Sequence, residues 1–361
     1  MAEAMILMGQ IEEMLLMTTT TAEVNKCASK SGEYHAVEEI GKGAFGTVFR
    51  ARTKGGQEVA IKICKTDVGL MQVLVHGVRS SDLLQQALKE AQCLNELRHP
   101  YVLQLLDVYD FTSQRGGKGI ALVTEYCARG NLQQYLEKYR PGEEKRFKWC
   151  HQLAEAMKYI HSKGITHRDI KPANILIDSD DDMKIGDVGV AKAAWDFGAG
   201  LKGIKNRDVT FGMYMDTKAG TPAYMAPEVM DQHYTKESDI FSLGLVFVMI
   251  VESPNELIPF AVYRGERKLL GQLLHDRPAA RSCRPIDLLE LEIRCATKSE
   301  VNLFNHMLEF SYHKRPTAAE VVEQIKEMNR ARGIQLIMAA ALLQAIAERE
   351  SRPRKKIKCS C

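Results

Sequence analysis

Asp169, Lys171 and Asn174 sit close together in Thr166-His167-Arg168-Asp169-Ile170-Lys171-Pro172-Ala173-Asn174. A carboxylate at Asp169 is able to accept the proton of an attacking hydroxyl. The amide oxygen of Asn174 is a hard ligand for a magnesium ion. Lys171, between them, can bring a cation to a transferring phosphate. Phosphoryl transfer asks little covalent work of a protein; it asks for positioned charge around an in-line path. Three side chains do not make a site alone. Such chemistry also needs a phosphate cover, a second lysine, a second metal ligand and a closing loop.

Elements able to supply these follow in order. Gly41-Lys42-Gly43-Ala44-Phe45-Gly46 has the spacing of a phosphate-cradling loop, in which missing side chains let backbone N–H groups approach the anion. Dinucleotide-binding folds share that spacing, but there it opens a helix. Here Thr47–Ala51 and Glu58–Ile63 are predicted strands, joined by a hairpin signal at Lys54-Gly55-Gly56. The second strand carries Val59-Ala60-Ile61-Lys62. Ser81–Leu97 is predicted helical from Leu84, Ala87, Leu88, Ala91 and Leu94, and it bears Glu90. Val102–Tyr109 and Ile120–Thr124 read as two further strands, followed by Glu125-Tyr126-Cys127. Phe147–Ser162 reads as an amphipathic helix, with Leu153, Ala156, Met157 and Ile160 on one face and Gly164 as its stop. Asp187-Val188-Gly189 follows a predicted strand at Met183–Gly186. Asp239 opens an apolar stretch beginning Ile240-Phe241-Ser242-Leu243-Gly244.

These stretches resemble, motif by motif, the eukaryotic protein kinase superfamily of the serine/threonine type, over roughly residues 34–330. The matches are the glycine loop, V-A-I-K at Lys62, H-R-D-x-K-P-x-N at Asp169 to Asn174, and Gly220-Thr221-Pro222-Ala223-Tyr224-Met225-Ala226-Pro227-Glu228. The resemblance implies an α+β, bilobal protein kinase-like fold. It places a small β-rich N-lobe at 34–124, a hinge at 125–127 and a large helical C-lobe at 128–330. Residues 1–33 would be an extension, and 331–361 a C-terminal helix and basic tail. The implied activity is transfer of the ATP γ-phosphate to Ser/Thr hydroxyls of protein substrates, with ATP and Mg2+ as cofactors.

The implied roles fall on residues as follows. Gly41, Lys42, Gly43, Ala44, Phe45 and Gly46 cover the phosphates. Lys62 holds the α- and β-phosphates and pairs with Glu90. Val48 and Ala60 above, and Leu176 below, sandwich the adenine, and backbone groups of Glu125 and Cys127 bond its edge. Asn174 and Asp187 hold metal, Asp169 takes the hydroxyl proton, and Lys171 stabilises the transferring group. Thr221 would bond Asp169 and Lys171 and help admit a serine or threonine hydroxyl. Thr124 occupies the gatekeeper position. Arg315 matches the arginine that pairs with Glu228. Thr217 is the expected phosphorylation site, with Arg168 and Lys192 as cations for its phosphate; an upstream activating kinase is then a partner.

One position departs from the family: Val188 stands where a phenylalanine is usual, in an apolar stack with His167, Leu94 and Leu105. It removes no chemistry. The alternative function is a pseudokinase scaffold that binds ATP without turnover. Loss of the lysine, the catalytic aspartate or the metal aspartate would mark it, and Lys62, Asp169 and Asp187 are all present. Asn131 and Ala173 occupy places that are often acidic in arginine-directed kinases. No strong demand for arginine upstream of the target residue is therefore expected, and a dominant upstream arginine on a peptide array would refute this.

The 361-residue chain is 45% hydrophobic and 26% charged, with net charge +3. That is the ordinary globular class, without the strong field that attracts nucleic acid, so no nucleic-acid partner is expected. Nine cysteines are scattered without C-x-x-C spacing, which points to reduced thiols and an intracellular setting, in the cytoplasm or nucleus. The apolar runs at Ile240–Val251 and Ile334–Ala347 fall short of the roughly 20 residues a membrane-spanning helix needs. The Met-rich start lacks a basic n-region, so no secretory signal is expected. Met5–Met17 reads as a short amphipathic helix before a Thr-rich linker, either loosely docked or disordered, or a partner-binding helix. The tail from Arg352 to Cys361 leaves three readings open: a solvated basic tail, a nuclear localisation patch, or membrane association by lipidated Cys359 and Cys361 beside a polybasic anchor.

Overall fold

The computed structural model describes residues 24, 34–43, 46–65, 91, 94–112, 118–188, 221–231, 233–252, 260–263, 266–269 and 297–351. Five strands form an antiparallel sheet: β1 (Tyr34–Gly43), β2 (Gly46–Thr53), β3 (Glu58–Lys65), β4 (Leu105–Thr112) and β5 (Lys118–Glu125), in the order β1-β2-β3-β5-β4. Alternation along β2 and β3 assigns the two faces. Phe49, Ala51, Val59, Ile61 and Ile63 point one way. Ala60, Lys62 and Cys64 point the other, beside Thr124, Leu122 and Ile120 of β5.

The expected strands at Thr47–Ala51, Glu58–Ile63 and Ile120–Thr124 lie within β2, β3 and β5. The expected strand at Val102–Tyr109 starts later, at Leu105. Val102 and Leu103 pair instead with Ile185, through a parallel bridge and a 2.9 Å bond from Leu103 N to Ile185 O. β1 was not foreseen as a strand. Two register shifts, between Ala36 and Glu38 and between Glu39 and Gly41, break the two-residue period that would have announced it.

Below the sheet the chain is mostly helical. α1 (Leu132–Lys138) opens with a capping box between Asn131 and Gln134. α2 (Glu143–Ser162) starts a turn earlier than expected, with Glu143 and Glu144 at its positive end, and is followed by Gly164 at φ 76°. Its predicted face, Leu153, Ala156, Met157 and Ile160, is fully buried. A hairpin of β6 (Ile175–Ile177) and β7 (Met183–Ile185) lies against it.

α3 (Lys236–Glu252) is buried on every side from Ser238 to Val251 apart from Ser242, which explains an apolar run without amphipathic spacing. β8 (Phe260–Tyr263) and β9 (Glu266–Leu269) form a separate hairpin. α4 (Lys298–Met307) packs on α3. α5 (Ala318–Ser351) runs unbroken past residue 330 and contains the expected helix at Leu342–Glu350. Its early part docks on α2, with Lys326 3.1 Å from Glu155 and Arg332 3.4 Å from Glu143. Among the described residues, no helix is long and apolar enough to cross a membrane. The expected helix at Met5–Met17 and the tail from Arg352 lie outside the described residues.

Candidate active site

The loop carrying Asp169 is held from below by one carboxylate. Asp239, in the first turn of α3 and 1% exposed, accepts the backbone N–H of His167 at 2.8 Å and of Arg168 at 2.7 Å. His161 Nε2 lies 2.9 Å from the same side chain. These bonds support Arg168 in the left-handed region at φ 70°, a conformation that a non-glycine residue adopts only when its surroundings enforce it. His167 is fully buried. Its Nε2 donates to Gly186 O at 2.8 Å and its Nδ1 accepts from Asp169 N at 3.3 Å, so the ring carries its proton on Nε2.

Asp169 is thus aimed between two partners. Lys171 Nζ lies 2.9 Å from its Oδ2, and Asn174 Nδ2 donates to the same Oδ2 at 2.8 Å. Asn174 Nδ2 also reaches Asp169 O at 2.8 Å. With the amide nitrogen so engaged, Asn174 presents its Oδ1 as an acceptor.

The β6–β7 hairpin brings the second carboxylate to this point. Ile175 pairs with Ile185, and Gly186 N donates to Asn174 O at 2.9 Å, which sets Asp187 beside the end of the catalytic loop. Asp187 has φ 53° and receives Lys62 Nζ at 2.6 Å. The expected partner Glu90 lies outside the described residues. Asp187 and Asn174 Oδ1 are the oxygen donors that this end of the hairpin offers to a cation. Val188 is fully buried in the same core as Leu94 and Leu105, so the smaller side chain still fills a core position.

Above this point, Gly41 pairs with Val48, Lys42 with Thr47 and Gly43 with Gly46, forming the two stems of the glycine loop. Its tip residues Ala44 and Phe45 lie outside the described residues. Gly46 has φ 150°, and a Cβ there would stand 2.1 Å from Ile63 O, so only glycine fits. Val48 pairs with Lys62 and Ala60 with Thr124, so these four side chains share the sheet face opposite to Phe49 and Ile61. Leu176 pairs with Lys184 and bridges to Asn131.

At the expected hinge, the N–H of Glu125 bonds Gln104 O at 3.1 Å, and its carbonyl accepts Thr124 Oγ1 at 3.2 Å. The Glu125 side chain accepts Gln104 N at 2.9 Å and meets Lys184 Nζ at 2.9 Å. Burial first, and then the nearby charge of Glu125, push the Cys127 thiol up to about 12.

The far wall is the stretch from Thr221 to Glu228. Thr221–Tyr224 forms a 3-10 turn; the Thr221 side chain lies outside the described residues. Arg168 and Asp169 line one pocket with Tyr224, Met225 and Ala226, which joins this stretch to the catalytic loop. Arg315 fixes its end: Nη1 lies 2.6 Å from Glu228 Oε1 and Nη2 2.8 Å from Oε2. The same guanidinium bonds the carbonyls of Glu309, Glu237 and Phe310. Burial alone would raise the Glu228 carboxyl, but the bonds and charge of Arg315, with Ser238, outweigh it and hold the group below its ordinary value. Thr217, Lys192 and Gly189 lie outside the described residues. Arg168 stands 5.4 Å over the Tyr234 ring.

Two contributors escaped the sequence reading: Asp239 as the loop's anchor, and the Glu125–Lys184 contact across the hinge. Both depend on distant residues meeting, and no local spacing announces them.

The match to known proteins covers most of the chain. Residues 34–325 match the protein kinase domain model. A CBL-interacting protein kinase 11 from Oryza sativa subsp. japonica is 32% identical over 61% of this chain and 39% of its own length. The serine/threonine-protein kinase cds1 of Schizosaccharomyces pombe is 30% identical over 84% of this chain and 60% of its own length. The human serine/threonine-protein kinase ULK1 is 36% identical over 59% of this chain and 19% of its own length. This chain thus spans less than two thirds of each of these relatives. A five-stranded antiparallel sheet above a helical lobe, a lysine–aspartate contact between them and the match along residues 34–325 agree: the chain belongs to the protein kinase family.

Proposed function

We propose that this chain is an active protein serine/threonine kinase that transfers the γ-phosphoryl group of ATP to Ser and Thr hydroxyls of protein substrates. The observation that carries the reading is the convergence of five side chains: Lys62 on Asp187 at 2.6 Å, and Asp169 held between Lys171 and Asn174 at 2.9 and 2.8 Å. In this reading the glycine loop, Gly41 to Gly46, lies over the phosphates and Lys62 binds them. Val48, Ala60 and Leu176 enclose the adenine, whose edge meets the Glu125 carbonyl and the Cys127 backbone.

The oxygen donors Asn174 Oδ1 and Asp187 suit Mg2+, a hard cation. When bound, the ion neutralises charge on the phosphate oxygens. Asp169 orients the incoming hydroxyl and accepts its proton. Lys171, already beside Asp169, steadies the charge on the transferring group. Lys171-Pro172-Ala173 and Gly220-Thr221-Pro222, together with relatives named serine/threonine kinases, favour an aliphatic hydroxyl acceptor. Residues 34–330 serve as the catalytic domain, with the hinge at 125–127. Cys127 and Cys150, buried and outside any disulfide, support a reducing, intracellular setting. Phosphorylation of Thr217 by an upstream kinase, or by a second copy, orders the activation segment through Arg168 and Lys192.

The test is transfer of labelled phosphate from ATP with magnesium to a generic protein substrate. Asp169→Asn is expected to lower the rate by roughly 10²–10⁴-fold while ATP still raises the melting temperature. ATP-dependent stabilisation without transfer in the wild type and in phosphorylated protein would favour the scaffold instead. Thr217→Ala with undiminished transfer would remove the proposed switch and leave the kinase reading intact.

A further inference from the structure

The outer face of the small-lobe sheet is dry at its centre, whereas Val48, Ala60 and Lys62 on the inner face are only partly buried. Register places Phe49, Ile61 and Val123 in one row, with Ala51 beside Val59 and Ile63 beside Ala121 on the same outer face. None of these seven side chains is more than 1% exposed. The opposite face sends Cys64, Ile120 and Leu122 into the large core that continues through the helical lobe. An antiparallel sheet with one face on a core ordinarily shows the other to water. Here the outer face forms a second core of its own. Among the described residues, one member of that core comes from outside the sheet: Val24, itself fully buried.

Chain geometry permits this from the same molecule. Residues 25–33 join Val24 to Tyr34 at the start of edge strand β1 and reach up to roughly 30 Å when extended. Crossing from β1 to β5 takes about 15 Å at ~4.8 Å per strand. The local sequence also fits. Val24, Cys27 and Ala28 have the spacing of one helical face, with Lys26 and Lys30 on the other side. Small apolar residues suit a surface already filled by Phe49, Ile61 and Phe111.

We propose that the outer face of the small-lobe sheet is a docking surface for this chain's own N-terminal segment, with Val24 as the anchoring side chain. The segment around Val24 is then a working part of the lobe. It seals the backs of β2 and β3, whose fronts carry Val48, Ala60 and Lys62. The inference stands on burial and register, and holds whether or not the chain transfers phosphate.

The experiment is hydrogen–deuterium exchange and hydrophobic-dye binding on the full chain, comparing wild type with Val24→Asp, Val24→Ile and Val37→Asp. Val37 is a valine of β1 with 39% exposure and serves as the control. Val24→Asp is expected to speed exchange in β2, β3 and β5, raise dye fluorescence and lower the melting temperature by about 5 °C or more. Val24→Ile and Val37→Asp are expected to behave like wild type. If Val24→Asp is not recovered folded, Val24→Ala is expected to loosen the same strands by a smaller factor. Unchanged exchange and dye binding in these Val24 variants would overturn the proposal. So would protection that grows with protein concentration, since that assigns the cover to a second copy.

Discussion

Glu228 and Arg315 give a prediction about acid at the level of single residues. The carboxyl is held below its ordinary value, so it contributes stability that is fully present above the usual glutamate range near ~4.3. That contribution is lost as pH falls through the lowered folded value. Glu228→Gln is therefore expected to melt well below wild type from neutral pH to about pH 5, and the gap is expected to close in more acidic buffer. Melting curves of both proteins across that range check it, and a gap that widens in acid would refute it. The residues proposed for catalysis were legible in the sequence because that chemistry asks for fixed residue types at fixed spacing, and Asp169, Lys171 and Asn174 do meet in the structure. Asp239 was legible only as the start of a helix. Its work on His167 and Arg168 joins backbone to side chain across 72 and 71 positions, beyond the reach of any local pattern.

At the level of elements, two helical glycines predict opposite outcomes. On α3, a Cβ at Gly244 would stand 3.0 Å from Met307 Cβ and 3.1 Å from Leu308 Cδ2, both deeply buried. Overpacking of this kind costs about 1–3 kcal/mol, more than the ~1 kcal/mol an alanine gains in helix propensity. On α5, a Cβ at Gly333 meets nothing within 4 Å. Gly244→Ala is expected to lower the urea midpoint, and Gly333→Ala to raise stability by about 0.5–1 kcal/mol. Equal shifts of the same sign would contradict the packing described here. Helices and strands with clear periods were legible, as in the buried face of α2 and the alternation of β2. β1 was not, because its bulges interrupt the period, and β4 began late because Val102 and Leu103 pair with β7 instead.

For the molecule as a whole, the two lobes share more than a covalent hinge. Lys184 of β7 holds Glu125 at the end of β5, while Leu103 N and Ile185 N exchange bonds with Ile185 O and Tyr101 O. Lys184→Ala removes the charged tie and leaves the backbone bonds. Glu125 is 26% exposed, so solvent screens the pair in part, and the expected cost is about 1–2 kcal/mol. Faster hydrogen exchange confined to residues 101–105 and 124–127 would support this, and a uniform change across both lobes would not. The lobed plan was legible from the order of the motifs. A helix beyond residue 330 was expected too; its fusion with the preceding turns into the single α5, tied to α2 through Lys326 and Arg332, was not, because those contacts join distant residues.

The buried thiol at the hinge has a consequence for chemical probes. With Cys127 pushed up to about 12, roughly one sulfur in 10⁵ is a thiolate at pH 7. Acrylamides, chloroacetamides and peroxide, all of which are attacked by the thiolate and not by the thiol, are expected to pass Cys127 by even when a probe sits against it. Intact-mass and peptide mapping after brief treatment at neutral pH should find it unmodified, and labelling should climb only as the buffer becomes strongly alkaline.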